Sequence, residues 1–379
     1  MIKKNRLFTP GPTEVPADTL RAMAEPIFHH RTPRFRTLFE QIQKDLQEVF
    51  QTKNHVLVFA SSGTGAMEAA IAGAVPDGEK VLVIRGGKFG ERFGEICETH
   101  RIPFVALDVP WGKAPNPADI AAGLAKDPAI GMVCATLCET STGVQSDIRA
   151  IGEVVRKTPA LLVVDGISGA GAAELRADAW GVDMLVNGSQ KALMMPPGLA
   201  FLTVSPKAAE KIAKAPQRSY YFNLHQAIKA GALFDTPWTP AISLLVGLGV
   251  SLAAVRKEGM EAVWARHRLL AEATRAGVKA LGLTLYAEAP SDSCTAVNVP
   301  PGVDGKKLTK TLEEEFGLMV AGGQEELSGK IFRISHMGYS DRMDMITVLA
   351  ALGMTLVKLG GKCDPGAGVA AAQGVFLKG

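Results

Sequence analysis

The sequence predicts an α/β fold, with a large domain on a mostly parallel sheet and a smaller α+β domain towards the C-terminus. Three observations predict it. Short runs of consecutive apolar residues recur between Val56 and Ser205, and unbroken Val/Ile/Leu runs mark strands covered on both faces, as in a parallel sheet. Helix-patterned segments separate those runs, and repeated strand–helix alternation is the pattern of an α/β layer fold. Beyond Pro216 the alternation gives way to long helices and then to short mixed elements.

Taken in order, VLVFA (Val56–Ala60) precedes a small-residue helix from about Ala66 to Val75. VLVIRG leads into GERFGEICETH, FVALDV into ADIAAGLAK, and GMVCATL into DIRAIGEVVRK. ALLVVDG, MLVNG and LAFLTVS close the series. Cys134 and Cys138, four apart on one predicted strand, are expected to share a face. Thr239-Pro240 before AISLLVGLGVSLAAVRKEG predicts a helix with Thr239 at the N-cap, Pro240 in the first turn and Gly259 near the end. A more charged helix covers Met260–Ala280, followed by short strands (LTLYAE, CTAVNVP, KIFRISH) mixed with helices. From Gly361 onward there is little core-forming pattern, so this tail is expected to fray. The expected organisation is an N-terminal arm (1–16), a large domain (17–250), a small domain (251–362) and a flexible tail (363–379).

Composition narrows the function. At about 150 residues per domain, 379 residues suit two domains. Forty-one basic against 38 acidic residues leave a net charge of +3, far from the basic excess of a dedicated nucleic-acid binder. With 47% hydrophobic and 21% charged residues the chain is ordinary globular material, not a disordered one. Five scattered cysteines (97, 134, 138, 294, 363) form no C-x-x-C pair and point to a reducing cytoplasm. The longest apolar stretch, Ala241–Val255, has 15 residues. A bilayer needs about 20, so no membrane association is expected.

Ligands of open α/β sheets sit at the carboxyl ends of strands, and three such ends carry chemistry. SSGTGAMEAA offers glycines and hydroxyls at a helix start, suited to an anion; it also fits a plain tight turn, and it lacks the third glycine of a dinucleotide fingerprint. LLVVDG ends in Asp165, a carboxylate that must find donors or a cation, whether as a site residue or as a loop cap. MLVNGSQKALMMPPG places Lys191 just past another apolar strand. Jointly, Lys191, Asp165 and the Ser62–Ala66 turn match the three needs of pyridoxal phosphate: a Schiff-base lysine, an acid for the pyridine nitrogen and a phosphate cradle. The seven histidines form no metal-binding pattern.

The chain resembles the class V, fold-type I pyridoxal phosphate aminotransferases, in the alanine–glyoxylate, serine–glyoxylate and serine–pyruvate branch. The similar passages are LFTPGPTEVP, SSGTGAMEAA, GGKFGERF, CETSTGVQSDI, LLVVDGISGAGA, VNGSQKALMMPPG, TPWTPAISLL and FRISHMG, from residue 7 to about 340. The resemblance implies Lys191 as the Schiff-base lysine and Asp165 against the ring nitrogen. It implies Thr64, Gly65 and Ala66 at the phosphate, Phe89 stacked on the ring, and Thr140 near the ring hydroxyl. Gln190 and Ile167 would line the cofactor, and Arg333 would grip the substrate carboxylate.

The resemblance further implies a homodimer whose partner completes the phosphate site through the TPWTPAIS segment, by Thr239 or Thr236. HHRTPRF (His29–Phe35) is similar to a basic segment near the active-site mouth of relatives. The implied substrates are a small amino acid (alanine or serine, with aspartate as a further candidate) and glyoxylate or pyruvate. The competing readings are a cysteine desulfurase using Cys294 or Cys363, and a non-catalytic cofactor-binding protein.

Overall fold

A computed structural model describes residues 3–378; residues 1, 2 and 379, at the ends of the expected arm and tail, lie outside it. In chain order the strands are β1 (Arg6–Phe8), β2 (His55–Phe59), β3 (Lys80–Arg85), β4 (Phe104–Asp108), β5 (Ile130–Thr136), β6 (Cys138–Glu139) and β7 (Val144–Gln145). They continue as β8 (Leu161–Asp165), β9 (Met184–Gly188), β10 (Ala200–Val204), β11 (Cys294–Asn298), β12 (Leu318–Gly322) and β13 (Ile331–Ser335).

The large sheet runs β2-β10-β9-β8-β5-β3-β4. Every neighbouring pair is parallel except those made by β10, which is antiparallel to both β2 and β9. Its strands are covered on both faces, as their unbroken apolar character requires. In β8, Leu162 and Val164 join a core shared with the helices Pro33–Phe50, Ile148–Val155 and Ile242–Glu258. Leu161 and Val163 join the opposite core, shared with the helices Gly63–Ala74, Lys88–Thr99 and Pro206–Lys214. The parallel strands therefore deliver Thr136, Asp165 and the residues after Gly188 to one edge of the layer.

A second sheet, ordered β1-β12-β13-β11, packs on the helices Met260–Ala280, Gly305–Phe316 and Arg342–Lys358 around a third core. Its edge strand β1 comes from the start of the chain and runs parallel to β12.

Several expectations need correction. The helix expected to be capped by Thr239 starts at Ile242 with Ala241 at its N-cap, and no side chain caps it. It runs unbroken through the expected boundary at 250, because nothing in LLVGLGVSLAAVRKE forces a break before Gly259, which adopts φ +82°. The tail is not frayed: Ala367–Phe376 is a helix, with Gly368 and Ala372 buried. Its small residues are the reason: Gly277 and Gly368 each lie against the other's backbone carbonyl and against Leu349 and Leu281, respectively, so a side chain at either would hold the helices apart. LTLYAE contributes only a single bridge, Leu285 to Val297. Cys134 and Cys138 do not share a face. The strand ends at Thr136, so Cys134 stays in the large core while Cys138, on β6, packs with Ala172, Ala192, Cys294 and Met337.

Candidate active site

Asp165 is the last residue of β8 and is 3% exposed. Its Oδ1 accepts the Ile167 N–H at 2.8 Å. Burial pushes its carboxyl up to about 7, against the pull of that N–H and of Lys191 and Arg92. A buried carboxylate in this condition favours a cation beside it. Lys191, 8% exposed, sits in the turn after β9. Desolvation lowers its amine to about 8, although Cys294, Cys138 and Asp165 pull the other way.

The N-terminal arm closes over this lysine. Thr13 donates from its N–H to the Gln190 carbonyl (3.2 Å) and from Oγ1 to the Lys191 carbonyl (2.9 Å), while Lys191 Nζ donates to the Pro10 carbonyl. Gly11, at φ +112°, lies against the Lys191 side chain, where a Cβ would overlap it.

The Gly63–Ala74 helix opens beside them with Ser62 at its N-cap, and no side chain caps it. Orphan N–H groups at such a start, added to the helix dipole, favour an anion. Gly65 is required there, because a Cβ would strike Ser61 Oγ and the Phe222 ring. Ile167 packs against Gly63.

Phe89 stands in the first turn of the Lys88–Thr99 helix. Glu139 fixes that turn: its buried carboxylate accepts the N–H groups of Phe89 (3.1 Å), Gly90 (2.9 Å) and Ser141 (3.1 Å). Arg92, one turn on, donates to Thr64 Oγ1 at 3.1 Å and lies 4.9 Å from the Phe89 ring centroid. Thr140 shares a 2.5 Å hydroxyl contact with Ser168. The Thr140 carbonyl accepts Arg333 Nη1 at 2.8 Å. Arg333 Nε and Nη2 donate to the Gly322 carbonyl at 3.1 and 2.7 Å. Among the described residues Arg333 has no carboxylate partner, so the ordinary alternative of a cross-strand ion pair does not occur.

Thr236 and Thr239 stand apart from this group. Thr236 Oγ1 donates to the Trp238 carbonyl (2.8 Å), and Thr239 is exposed. Arg31, from the basic HHRTPRF passage, pairs with Asp235 at 2.6 Å beside them. The fold thus gathers Lys191, Asp165, Ile167, Gln190, Thr64, Gly65, Ala66, Phe89, Thr140 and Arg333 from distant positions, while the two threonines line a small cavity with Phe59, Ala60 and Leu199. Sequence reading missed Glu139, Arg92, Ser168 and the Pro10–Gly11 strap. Glu139 and Arg92 lie inside motifs already singled out, but only the packing of β6 against the Lys88–Thr99 helix shows what they touch.

The aminotransferase class-V pattern matches residues 7–345. The chain belongs to the class V aminotransferases. A protein of Synechococcus described as soluble hydrogenase, small subunit, is 39% identical over 99% of each chain. The L-aspartate–glyoxylate aminotransferase of Paracoccus denitrificans is 37% identical over 98% of this chain and 96% of its own. The crystal structure of ureidoglycine–glyoxylate aminotransferase from Bacillus subtilis superposes with a TM-score of 0.94 at 32% identity, covering 100% of this chain and 99% of that one.

The class V cofactor is pyridoxal 5'-phosphate, and the residues of this aminotransferase fit it. Among the described residues Gln190 Oε1 and Thr136 Oγ1 are buried without hydrogen-bond partners, the Gly63 helix start is uncapped, and Asp165, though Lys191 and Arg92 act on it from a distance, forms no salt bridge. Of the two desulfurase candidates, Cys294 is fully buried on β11, and Cys363 is half-buried against the core of the small sheet.

Proposed function

We propose that this aminotransferase transfers the amino group of alanine or serine, with aspartate as a further donor candidate, to glyoxylate or pyruvate. The main support is the pairing of a buried lysine and a buried aspartate at adjacent strand ends with an arginine that has no carboxylate of its own. Relatives named for serine–glyoxylate and aspartate–glyoxylate transfer support the acceptor. The relative named as a hydrogenase subunit matches over the same span, but the residues at 165 and 191 are those a transaminase needs.

Bound pyridoxal phosphate supplies an aldehyde for the amino group and a ring that accepts the electrons released at Cα. Lys191 would carry the cofactor and, as a free amine pulled down to about 8, is a base of suitable strength for the substrate Cα proton. Asp165 would hold the proton on the ring nitrogen. Thr64, Gly65 and Ala66 would hold the phosphate, Phe89 would offer a face to the ring, and Thr140, Ile167 and Gln190 would line the cofactor. Arg333 keeps unused N–H donors for the substrate carboxylate, and its anchorage on two carbonyls orients them.

A homodimer fits the remaining pieces. Thr239 is exposed, with Thr236 close by, and Tyr220 (82% exposed) and Leu233 (66%) form an apolar surface around that segment. A partner subunit would bury this patch and bring the threonines to the neighbouring phosphate. No helix among the described residues is long and apolar enough to cross a membrane. The buried, unpaired thiols support a reducing cytoplasmic location, and Gly259 supports a boundary between the two domains.

Assaying alanine, serine and aspartate against glyoxylate, pyruvate and 2-oxoglutarate tests the substrate reading, which fails if none of the small donors turns over. Lys191→Ala should lose about 100-fold or more in turnover and leave no lysine adduct after borohydride trapping. A wild-type rate in that variant sinks the assignment.

A further inference from the structure

The geometry points to Arg92 as the charge-neutralising partner of the cofactor's phosphate, coupled through one guanidinium to the ring-stacking Phe89. This rests on the pyridoxal phosphate reading above.

A phosphate monoester carries close to two negative charges at neutral pH. The start of the Gly63–Ala74 helix offers about half a unit of positive charge together with neutral donors. A full cation is missing from that inventory, since Lys191 is committed to the aldehyde. Arg92 supplies one. Its Nη1 donates to Thr64 Oγ1 at 3.1 Å, so the Thr64 hydroxyl serves as acceptor on that side and its own O–H is free for a phosphate oxygen. Arg92 forms no salt bridge among the described residues, although most arginines of this chain do; Asp165 feels its charge only from beyond salt-bridge distance. Of its five N–H donors, one is used in the chain.

The same guanidinium lies over one face of Phe89 at 4.9 Å, leaving the other face for the ring. Phe89 and Arg92 are three residues apart and share a helix face, and the first turn of that helix is clamped by the buried Glu139. Phosphate anchor and ring platform are thereby set by one rigid element.

The test separates phosphate binding from general stability. Apoprotein of wild type, Arg92→Gln and Arg92→Lys is titrated with pyridoxal 5'-phosphate and, separately, with pyridoxal, which lacks the phosphate. Arg92→Gln should weaken the phosphorylated ligand roughly 10- to 100-fold and pyridoxal less than about 2-fold. Arg92→Lys, which keeps the charge but not the planar fork, should recover part of the loss. Equal weakening of both ligands would make Arg92 a support for Phe89 only, and no change in either would remove its role; each outcome overturns the proposal. Should Arg92→Gln not fold, Arg92→Lys carries the same comparison, with selective loss for the phosphorylated ligand supporting and an unchanged ratio overturning. Wild-type protein that gives no borohydride-stable adduct at Lys191 would instead reject the cofactor reading itself, and this inference with it.

Discussion

Lys191 donates its side-chain amine to the carbonyl of Pro10, 181 positions earlier in the chain. The contact joins the two sheets: β1, just before Pro10, belongs to the small sheet, and Lys191 follows β9 of the large one. The strap between them is held at both ends, by Thr9 Oγ1 on the Pro12 carbonyl (2.7 Å) and by Thr13 on Gln190 and Lys191.

Gly11 is the weak point of that strap. An alanine there needs φ near +112°, which side chains rarely adopt, and its methyl would displace the lysine. Gly11→Ala should lower kcat about 100-fold, the usual penalty for misplacing a reacting group by an ångström. Its thermal midpoint should fall only modestly. Steady-state kinetics set beside a melting curve will decide, and a wild-type kcat would show that the strap does not position Lys191.

Covalent capture of pyridoxal phosphate should reveal the lowered amine of Lys191. Only the neutral amine reacts, so the capture rate should climb with pH and level off above about 8, not near the ordinary lysine value of 10.5. Stopped-flow absorbance from pH 6 to 10 measures the midpoint. A rate still rising steeply beyond pH 9 contradicts the burial argument.

Asp165 gives a prediction for the cofactor-free protein. Its folded value of about 7 lies above the unfolded 3.8, so between those limits the folded state holds the extra proton. This group's stabilisation is complete below about pH 4 and is lost as pH rises to about 7, with a slope of up to about 1.4 kcal/mol per pH unit. Asp165→Asn should flatten that part of the profile. Urea unfolding at pH 5 and pH 7.5 will compare the two proteins, and parallel slopes would count against the shift.

Arg333→Lys should leave cofactor binding near wild type and reduce kcat/KM for the amino acid by about 100-fold. Lysine cannot reproduce three donors to Thr140 and Gly322 while presenting more to a carboxylate. Equal losses in cofactor affinity and in kcat/KM would mean that Arg333 holds the fold together, not the substrate.

The parts legible in the chain are those governed by local pattern. Unbroken runs such as LLVVD and MLVNG marked strands buried on both sides; Asp165 ends the first and Lys191 lies three residues past the second, where the sheet opens. Helix starts were harder. Thr239-Pro240 is a good cap in isolation, yet the helix begins two residues beyond Pro240 with Ala241 at its N-cap and no capping side chain. The C-terminal helix escaped notice because alanines and glycines give no apolar stripe, although they allow the close approach at Gly277 that holds it.

By itself, the order of apolar runs and the Asp165, Lys191 and glycine-turn spacing determined the α/β architecture and the chemistry of the cofactor. These depend on short-range periodicity, which burial enforces residue by residue. Tertiary structure alone decided that Pro10 meets Lys191, that Glu139 clamps the turn bearing Phe89, that Arg92 reaches Thr64, and that Arg333 has carbonyl partners and no carboxylate. Apart from Arg333 and Gly322 on neighbouring strands, those pairings join groups 28 to 193 residues apart. Their formation depends on how two sheets close on one another, a geometry that no local pattern of residues encodes.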